Sequence, residues 1–196
     1  KGDNKFILGI VSRLSEQKGL DILMEAIEPM LDNFDFELVV VGQGDAKYMS
    51  FFSELEKNYS NIKTHLSYDA VLPRFVFAGA DAIIIPSKFE PCGLTQMEAM
   101  RYGCVPIVRK TGGLSDSVED YNPTEQTGTG FVFEKFDKYA LFGTLIRALE
   151  TYKYPKFWEG IQKRAMLANF SWSASAKEYA EIFKKAIDFN FQSKKS

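Results

Sequence analysis

The chain has 196 residues, of which 45% are hydrophobic and 26% are charged, and its net charge at pH 7 is −2. This composition is typical of a globular domain with a filled core, and it excludes the basic surface with which proteins bind nucleic acid or an anionic membrane. No aliphatic run is long enough to cross a bilayer, and no basic segment followed by an apolar one precedes the first strand. We therefore expect partners other than nucleic acid and membranes.

Apolar runs and helically periodic segments alternate along the chain. In chain order they predict a strand over 6–12, a helix over 19–31, a strand over 36–42, a helix ending near 59, a weaker strand over 62–68 and a helix over 70–80. A strand over 81–87, a helix behind Gly93, strands over 105–109 and 130–134, and helices over 137–152, 155–168 and about 172–189 follow. This alternation predicts a Rossmann-like α/β fold with a doubly wound parallel sheet of about six strands, in a single domain over 1–196.

Ligands of such sheets bind at the carboxyl ends of the strands, and the loop after the first strand, "SRLSEQKG", carries Arg13 and Lys18. Cations in front of a helix are unfavourable, because the N-terminus of a helix is itself partially positive, unless an anion is shared between them. A phosphate can supply that anion. Two solvated surface cations are the alternative, and we favour the phosphate site because of the position in the fold.

The loops after the fourth and fifth strands, "SKFEPCGL" and "RKTGGL", each precede a helix. Glu90 could simply stabilise the N-terminus of the helix that follows it. Gly93, however, allows a ligand to approach backbone N–H groups and Thr95 adds a hydroxyl, and Gly112 and Gly113 repeat the arrangement before the next helix. Together with the two cations of the first loop, these residues predict a concave site for a diphosphate that carries a sugar.

Other polar side chains give weaker predictions. Tyr68, at the end of the third strand, is either a platform for a stacked base or a half-buried structural tyrosine. His65, the only histidine, is expected inside that strand in a structural role, and it leaves no partners for a histidine-based metal cluster or a Ser-His-Asp triad. Cys92 and Cys104 show neither metal-ligand spacing nor a disulfide framework, which favours a reducing, cytoplasmic setting. We predict no metal site and no cofactor.

Three segments resemble the bacterial glycogen synthase and plant starch synthase family: "SRLSEQKGLDIL", "SKFEPCGLTQMEAMRYGCVPIVRKTGGLSDSV" and "GTGFVF". The resemblance extends over nearly the whole chain, and the middle segment is the most specific. It implies the C-terminal, donor-binding half of a two-domain GT-B glycosyltransferase. Such an enzyme transfers glucose from ADP-glucose to the non-reducing end of an α-1,4-glucan with retention, in the cytoplasm or, in a plant, in the plastid.

The resemblance also implies a role for each candidate residue. Arg13 and Lys18 would hold the diphosphate of the donor and stabilise the departing ADP. Glu90 would contact the transferred glucose near its anomeric centre, and Tyr68 would stack near the adenine. The sugar and phosphate pocket would be lined by Cys92, Gly93, Leu94 and Thr95. Because no second carboxylate is visible for a covalent double displacement, the expected route is attack on the face from which the phosphate departs.

The family's N-terminal, acceptor-side domain is absent from the sequence, which begins without an initiator Met, so we expect a fragment with little or no glucan-elongating activity of its own. The helix over 172–189, which crosses back to that domain in the family, is expected to be exposed or repacked. Two alternatives remain open. The chain could be a non-catalytic module that binds a nucleotide-sugar or a glucan, or it could belong to a GT-B transferase that uses UDP-glucose.

Overall fold

A computed structural model describes residues 5–193, so both ends of the predicted domain over 1–196 lie outside the described residues. The strands are β1 (Phe6–Val11), β2 (Phe36–Val41), β3 (Ile62–His65), β4 (Ala82–Ile85), β5 (Val105–Arg109) and β6 (Phe131–Phe133). The helices are α1 (Leu20–Asn33), α2 (Ala46–Asn58), α3 (Leu72–Gly79), α4 (Thr95–Arg101), α5 (Gly112–Ser117), α6 (Lys138–Tyr152), α7 (Pro155–Leu167) and α8 (Trp172–Ser193). A short 3₁₀ turn, Glu16–Lys18, precedes α1.

The strands form one parallel sheet in the order β3-β2-β1-β4-β5-β6. The predicted Rossmann-like parallel sheet is therefore confirmed. After β3 the chain returns to the other side of β1, so the order of the strands reverses between β1 and β4. In a doubly wound sheet this switch point opens a crevice at the carboxyl ends of the two strands.

The sheet is covered on both faces, which explains why its strands are continuous apolar runs instead of alternating ones. In β4, Ala82 and Ile84 face the cluster that includes α1, α2, α6 and α7, whereas Ile83 and Ile85 face the cluster that includes α3, α4 and α5. Successive residues of a strand point to opposite faces. A strand buried on both faces therefore needs an apolar residue at every position.

The third strand is shorter than the sequence predicted, because it ends at His65 and not at residue 68. The chain turns directly after it, and the carboxylate of Asp69 accepts hydrogen bonds from the backbone N–H groups of Val71 and Leu72 at 2.7 and 2.8 Å. These two hydrogen bonds hold the Asp69 pKa below its ordinary value. The turn leads into α3, where Pro73 lies in the first turn of the helix.

The last helix, α8, differs from the others because none of its residues over 172–190 is buried. Its large exposed side chains are Trp172, Tyr179, Ile182, Phe183, Ile187 and Phe189. Several of them recur at intervals of three or four residues, which places them on one side of the helix. Of the two predicted states of this helix, exposed or repacked, the structure shows the exposed one. No helix over residues 5–193 is both long enough and apolar enough to span a membrane.

Candidate functional site

The switch point between β1 and β4 contains a cavity of about 260 Å³, which we call the crevice pocket. Its walls come from the end of β1, from the loop after β1 (residues 12–19, loop 1), from the end of β4, and from the loop after β4 with the start of α4. The lining residues are Ile10, Val11, Ser12, Lys18, Leu20, Ile84, Ile85, Pro86, Glu90, Gly93, Leu94, Thr95 and Gln96. Lys18, Glu90, Gly93, Leu94 and Thr95 are thus brought together, as the sequence predicted for a sugar-diphosphate site.

Among the described residues that line the pocket, Lys18 and Glu90 are the two with a charged side chain. They form an ion pair in which Lys18 Nζ lies 2.5 Å from Glu90 Oε2, and their side chains are only 18% and 9% exposed. The Ser87 hydroxyl donates a second hydrogen bond to the same oxygen at 3.1 Å. Removing two charges from water is unfavourable unless they are paired and hydrogen-bonded. This pair meets both conditions.

Loop 1 is fastened to the loop after β4 (residues 86–94, loop 4) by more than this ion pair. The backbone N–H of Lys88 donates to the carbonyl of Gln17 at 2.8 Å, and Lys88 Nζ lies 2.8 Å from a carboxylate oxygen of Glu16. Gly19 has a φ of 70°, and a Cβ at this position would lie 1.9 Å from the carbonyl oxygen of Pro86. A glycine is therefore required where the two loops meet.

Arg13 lies outside the crevice pocket, although the sequence grouped it with Lys18. Its side chain is exposed, and its Nη2 donates to Gln17 Oε1 at 3.1 Å. Arg13 and Lys18 thus lie near opposite ends of loop 1, and of the two only Lys18 lines the pocket.

Gly93 has a φ of 73°, in the left-handed region that favours glycine, and it leads through Leu94 into α4. Cys92 precedes it but is absent from the lining of the pocket, and its thiol is exposed. Cys92, which the resemblance implied as a pocket residue, therefore does not line the pocket in this structure.

Gly112 and Gly113 contact loop 4 instead of lining the pocket. The backbone N–H of Gly113 donates to the carbonyl of Glu90 at 3.0 Å, so this amide is already used inside the protein. A Cβ at Gly113 would lie 1.8 Å from the carbonyl oxygen of Cys92, and one at Gly112 would lie 2.1 Å from that of Glu90. In this structure the two glycines position Glu90 by close backbone packing, and Gly113 does not offer the free amide that we predicted.

Tyr68 and His65 lie away from the crevice pocket. Tyr68 is 77% exposed, which excludes the alternative of a half-buried structural tyrosine, and its role as a platform for a stacked base stays a prediction. It lies in the loop after β3, the edge strand, which two strands, β2 and β1, separate from β4. His65 ends β3 instead of lying inside it, and its Nε2 is 2.9 Å from the Ser67 hydroxyl and 3.8 Å from Asp69.

Gln96 is a pocket residue that the sequence did not single out. It is fully buried, and its Nε2 donates to the carbonyl of Gly93 at 2.7 Å and to the Ser117 hydroxyl at 2.9 Å. Its Oε1 has no hydrogen-bond partner among the described residues. A glutamine in the first turn of a helix is usually solvated, so only the packing of α4 against α5 reveals this role.

Arg109 was also missed, because a cation at the end of a strand is an ordinary surface residue in sequence. Its Nε donates to the carbonyl of Ser87 at 2.8 Å, and its Nη2 donates to the carbonyl of Lys88. The guanidinium also lies 5.5 Å from the centre of the Phe136 ring, within range of a cation–π contact. Partial burial lowers the pKa of Arg109 from its ordinary value. Arg109 thus holds the first residues of loop 4 in place.

Within residues 5–193, no three His, Cys, Asp or Glu side chains come together in a group that could hold a metal ion. Cys92 and Cys104 are both free thiols. Cys104 is buried, and this burial raises its pKa above the ordinary value for a thiol.

Comparison with known proteins places these features in a family. Residues 1–164 match the family described as "Glycosyl transferases group 1". The chain is 40% identical over 185 residues to glycogen synthase 1 of Synechocystis sp., covering 94% of this chain and 39% of the relative, and 43% identical over 185 residues to the glycogen synthase of Gloeobacter violaceus, covering 94% and 40%. It therefore spans about two fifths of the length of the glycogen synthases that it matches.

Solved structures agree with this result. The catalytic domain of starch synthase IV from Arabidopsis thaliana, bound to ADP and acarbose, superimposes with a TM-score of 0.82 at 36% identity, covering 95% of this chain and 39% of that one. The C-terminal domain of a glycosyl transferase group 1 protein from Francisella tularensis shares the fold, with a TM-score of 0.64 at 22% identity over 82% of each chain. The predicted resemblance to glycogen and starch synthases is confirmed, and the chain belongs to the glycosyl transferases group 1 family.

Proposed function

We propose that this chain is the donor-binding half of a glucosyltransferase that moves glucose from ADP-glucose to the non-reducing end of an α-1,4-glucan with retention. The observation that carries the proposal is the placement of a partly buried cation, Lys18, beside a buried carboxylate, Glu90, in a pocket at the switch point of the sheet. The glycogen synthases among its relatives, and the structural neighbour that binds ADP and acarbose, support this choice of substrate.

The chemistry of the pocket fits a sugar attached to a diphosphate. Lys18 supplies a positive charge for the phosphates, and the left-handed turn at Gly93 leads to the Thr95 hydroxyl at the start of α4. Glu90 supplies acceptors for sugar hydroxyls. As glucose departs, charge develops on the diphosphate and on the anomeric centre, and preorganised charges of this kind stabilise both. Attack on the face from which the phosphate leaves is carried over from the resemblance.

The acceptor side and the activity of the whole protein are also proposals. We infer that the glucan is bound by a domain outside this sequence, and that the chain by itself elongates glucan little or not at all. The fraction of the glycogen synthases that it spans, about two fifths, supports this inference, and exclusion of water from such a site requires closure by a second wall. We keep the cytoplasmic setting as a proposal, supported by the two free cysteines.

The first test is calorimetric titration of the chain with ADP, UDP and ADP-glucose. We expect ADP to bind, and Lys18→Ala to weaken binding by about 1.5–3 kcal/mol because a charge-assisted hydrogen bond is lost. Lys88→Ala is the matched control, since this lysine joins the same two loops from the exposed side, and it should bind ADP as the wild type does. Equal ADP affinity in the wild type and in Lys18→Ala would refute the site.

The same titration separates the two alternatives. Tighter binding of UDP than of ADP would favour a transferase that uses UDP-glucose. A non-catalytic module is tested in the full-length protein, by measuring the incorporation of labelled glucose into glycogen. A full-length protein that binds ADP-glucose but incorporates no glucose would favour the binding module.

A further inference from the structure

We infer that Glu90 competes with the phosphates of the ligand for Lys18, so that the pocket discriminates between a nucleoside diphosphate that carries a sugar and one that does not. The inference rests on the proposed function of the same pocket. It assigns Glu90 a second role. A carboxylate that only accepted hydrogen bonds from sugar hydroxyls would not need to contact Lys18.

The contact itself is the first observation. Lys18 Nζ and Glu90 Oε2 are 2.5 Å apart, and both side chains are largely shielded from water. The Ser87 hydroxyl, fully buried, supports the same oxygen of Glu90 at 3.1 Å. The cation that should receive a phosphate is therefore already neutralised in the structure, by a carboxylate that is itself held in place.

A phosphate can take full advantage of Lys18 only if Glu90 gives up part of this contact. Two anions would then face each other across one ammonium group, and like charges at such distances repel in a site with little water. A carboxylate that leaves its partner while it remains buried is also poorly stabilised. For ADP alone, both effects reduce the affinity of the pocket.

A sugar attached to the diphosphate changes this balance. Its hydroxyls are hydrogen-bond donors, and a carboxylate has acceptor positions for several of them. When such a ligand binds, Glu90 gives up its contact with Lys18 and accepts hydrogen bonds from the sugar. Lys18 in turn gives up Glu90 and contacts the phosphates. After the sugar has been transferred, the product ADP no longer offers those donors. Glu90 returns to Lys18, and this return favours the release of ADP.

The test is the affinity of Glu90→Gln for ADP and for ADP-glucose, measured by calorimetry on this chain. Glutamine has the same shape as glutamate but no charge, so Lys18 is no longer neutralised. We expect ADP to bind about 5- to 30-fold more tightly than it binds the wild type, which corresponds to the loss of one charged interaction. ADP-glucose should gain less or bind more weakly, so the ratio of the two dissociation constants shifts toward ADP.

Glu16→Gln is the matched control, because it removes the same charge from an exposed ion pair that joins the same two loops. It should leave both affinities unchanged. If Glu16→Gln tightens ADP as much as Glu90→Gln does, the effect comes from overall charge and the inference is wrong. It is also wrong if Glu90→Gln binds ADP with unchanged or lower affinity.

Ser87→Ala gives a second measurement in case Glu90→Gln folds poorly. It keeps both charges but removes a hydrogen bond that holds the Glu90 carboxylate beside Lys18, so displacing the carboxylate from Lys18 becomes easier. We expect ADP to bind about 3- to 10-fold more tightly and the affinity for ADP-glucose to change less. An unchanged or lower affinity for ADP, or an equal change for the two ligands, would contradict the exchange of partners.

The proposed function and this inference fail in different ways. If Lys18→Ala does not weaken ADP binding, the pocket is not the diphosphate site and both are wrong. If Lys18→Ala weakens ADP binding but Glu90→Gln does not strengthen it, the proposed function stands and the competition does not.

Discussion

The crevice pocket and the last helix depart from the usual distribution of side chains in opposite directions. In the pocket two charged groups are withdrawn from water, with Lys18 18% and Glu90 9% exposed, whereas along α8 large apolar groups such as Trp172 and Phe189 are 87% and 77% exposed. The charges at the pocket are held by hydrogen bonds from several segments, but no residue of α8 over 172–190 is buried. From this comparison we predict that the contacts at the carboxyl ends of the strands contribute strongly to the free energy of unfolding, and that α8 contributes almost nothing.

The hydrogen bonds around the pocket come from residues far apart in sequence. Arg109 donates to loop 4 from the end of β5, Gly113 donates to it from the start of α5, and Gln96 joins α4 to α5. A buried polar group that loses its hydrogen-bond partner destabilises the folded state. Substitutions among these residues should therefore be costly, whereas substitutions in α8 should not be.

The largest effect is expected from Gly113→Ala. Its Cβ would lie 1.8 Å from the carbonyl oxygen of Cys92, which is backbone and cannot rotate away. We expect the free energy of unfolding to fall by about 3 kcal/mol or more, measured by urea denaturation. Gly143→Ala is the control, since nothing lies within 4 Å of a Cβ at this position in α6, and it should stabilise the protein by up to about 1 kcal/mol. Equal effects in the two variants would show that loop 4 is not tightly packed.

A smaller effect is expected from Gln96→Leu. Leucine fills the same buried volume but removes the donor that Gly93 and Ser117 share, so two acceptors lose a partner. Because the unpartnered Oε1 disappears as well, we expect a net loss of about 1–2 kcal/mol in the free energy of unfolding. The exposed Gln43→Leu should stay within about 0.5 kcal/mol of the wild type. If Gln96→Leu has the same free energy of unfolding as the wild type, the hydrogen bonds of Gln96 contribute little to stability.

The smallest effect is expected from removal of α8. A chain that ends at residue 171 loses no buried side chain of this helix over 172–190. Thermal unfolding should therefore show a midpoint within about 2 °C of that of the full sequence. Phe183→Ser, which replaces a 63% exposed side chain, should likewise change the free energy of unfolding by less than about 0.5 kcal/mol. A loss of several degrees on truncation would show that α8 packs against the rest of the chain in solution.

The sequence by itself determined the alternation of strands and helices, because burial on both faces requires apolar residues at every position of a strand, and that requirement is local. It also predicted that Lys18 and Glu90 lie together at the carboxyl ends of the strands, since both stand in loops that follow strands of a doubly wound sheet. The boundaries of short elements were less predictable. The end of β3 depends on the turn that Asp69 stabilises. The sequence around a single polar side chain in a loop does not show which backbone groups that side chain will bond.

Only the tertiary structure decided how the candidate residues are arranged around the pocket. Lys18 and Glu90 are 72 positions apart, and their contact exists because β1 and β4 are neighbours in the sheet. Tyr68 is exposed because β3 ends at His65 and leaves this tyrosine in a surface loop, and the use of the Gly113 amide follows from the packing of α5 against loop 4. Sequence patterns report which side of an element is buried. Contacts between loops depend on which strands are adjacent, and that information is not local.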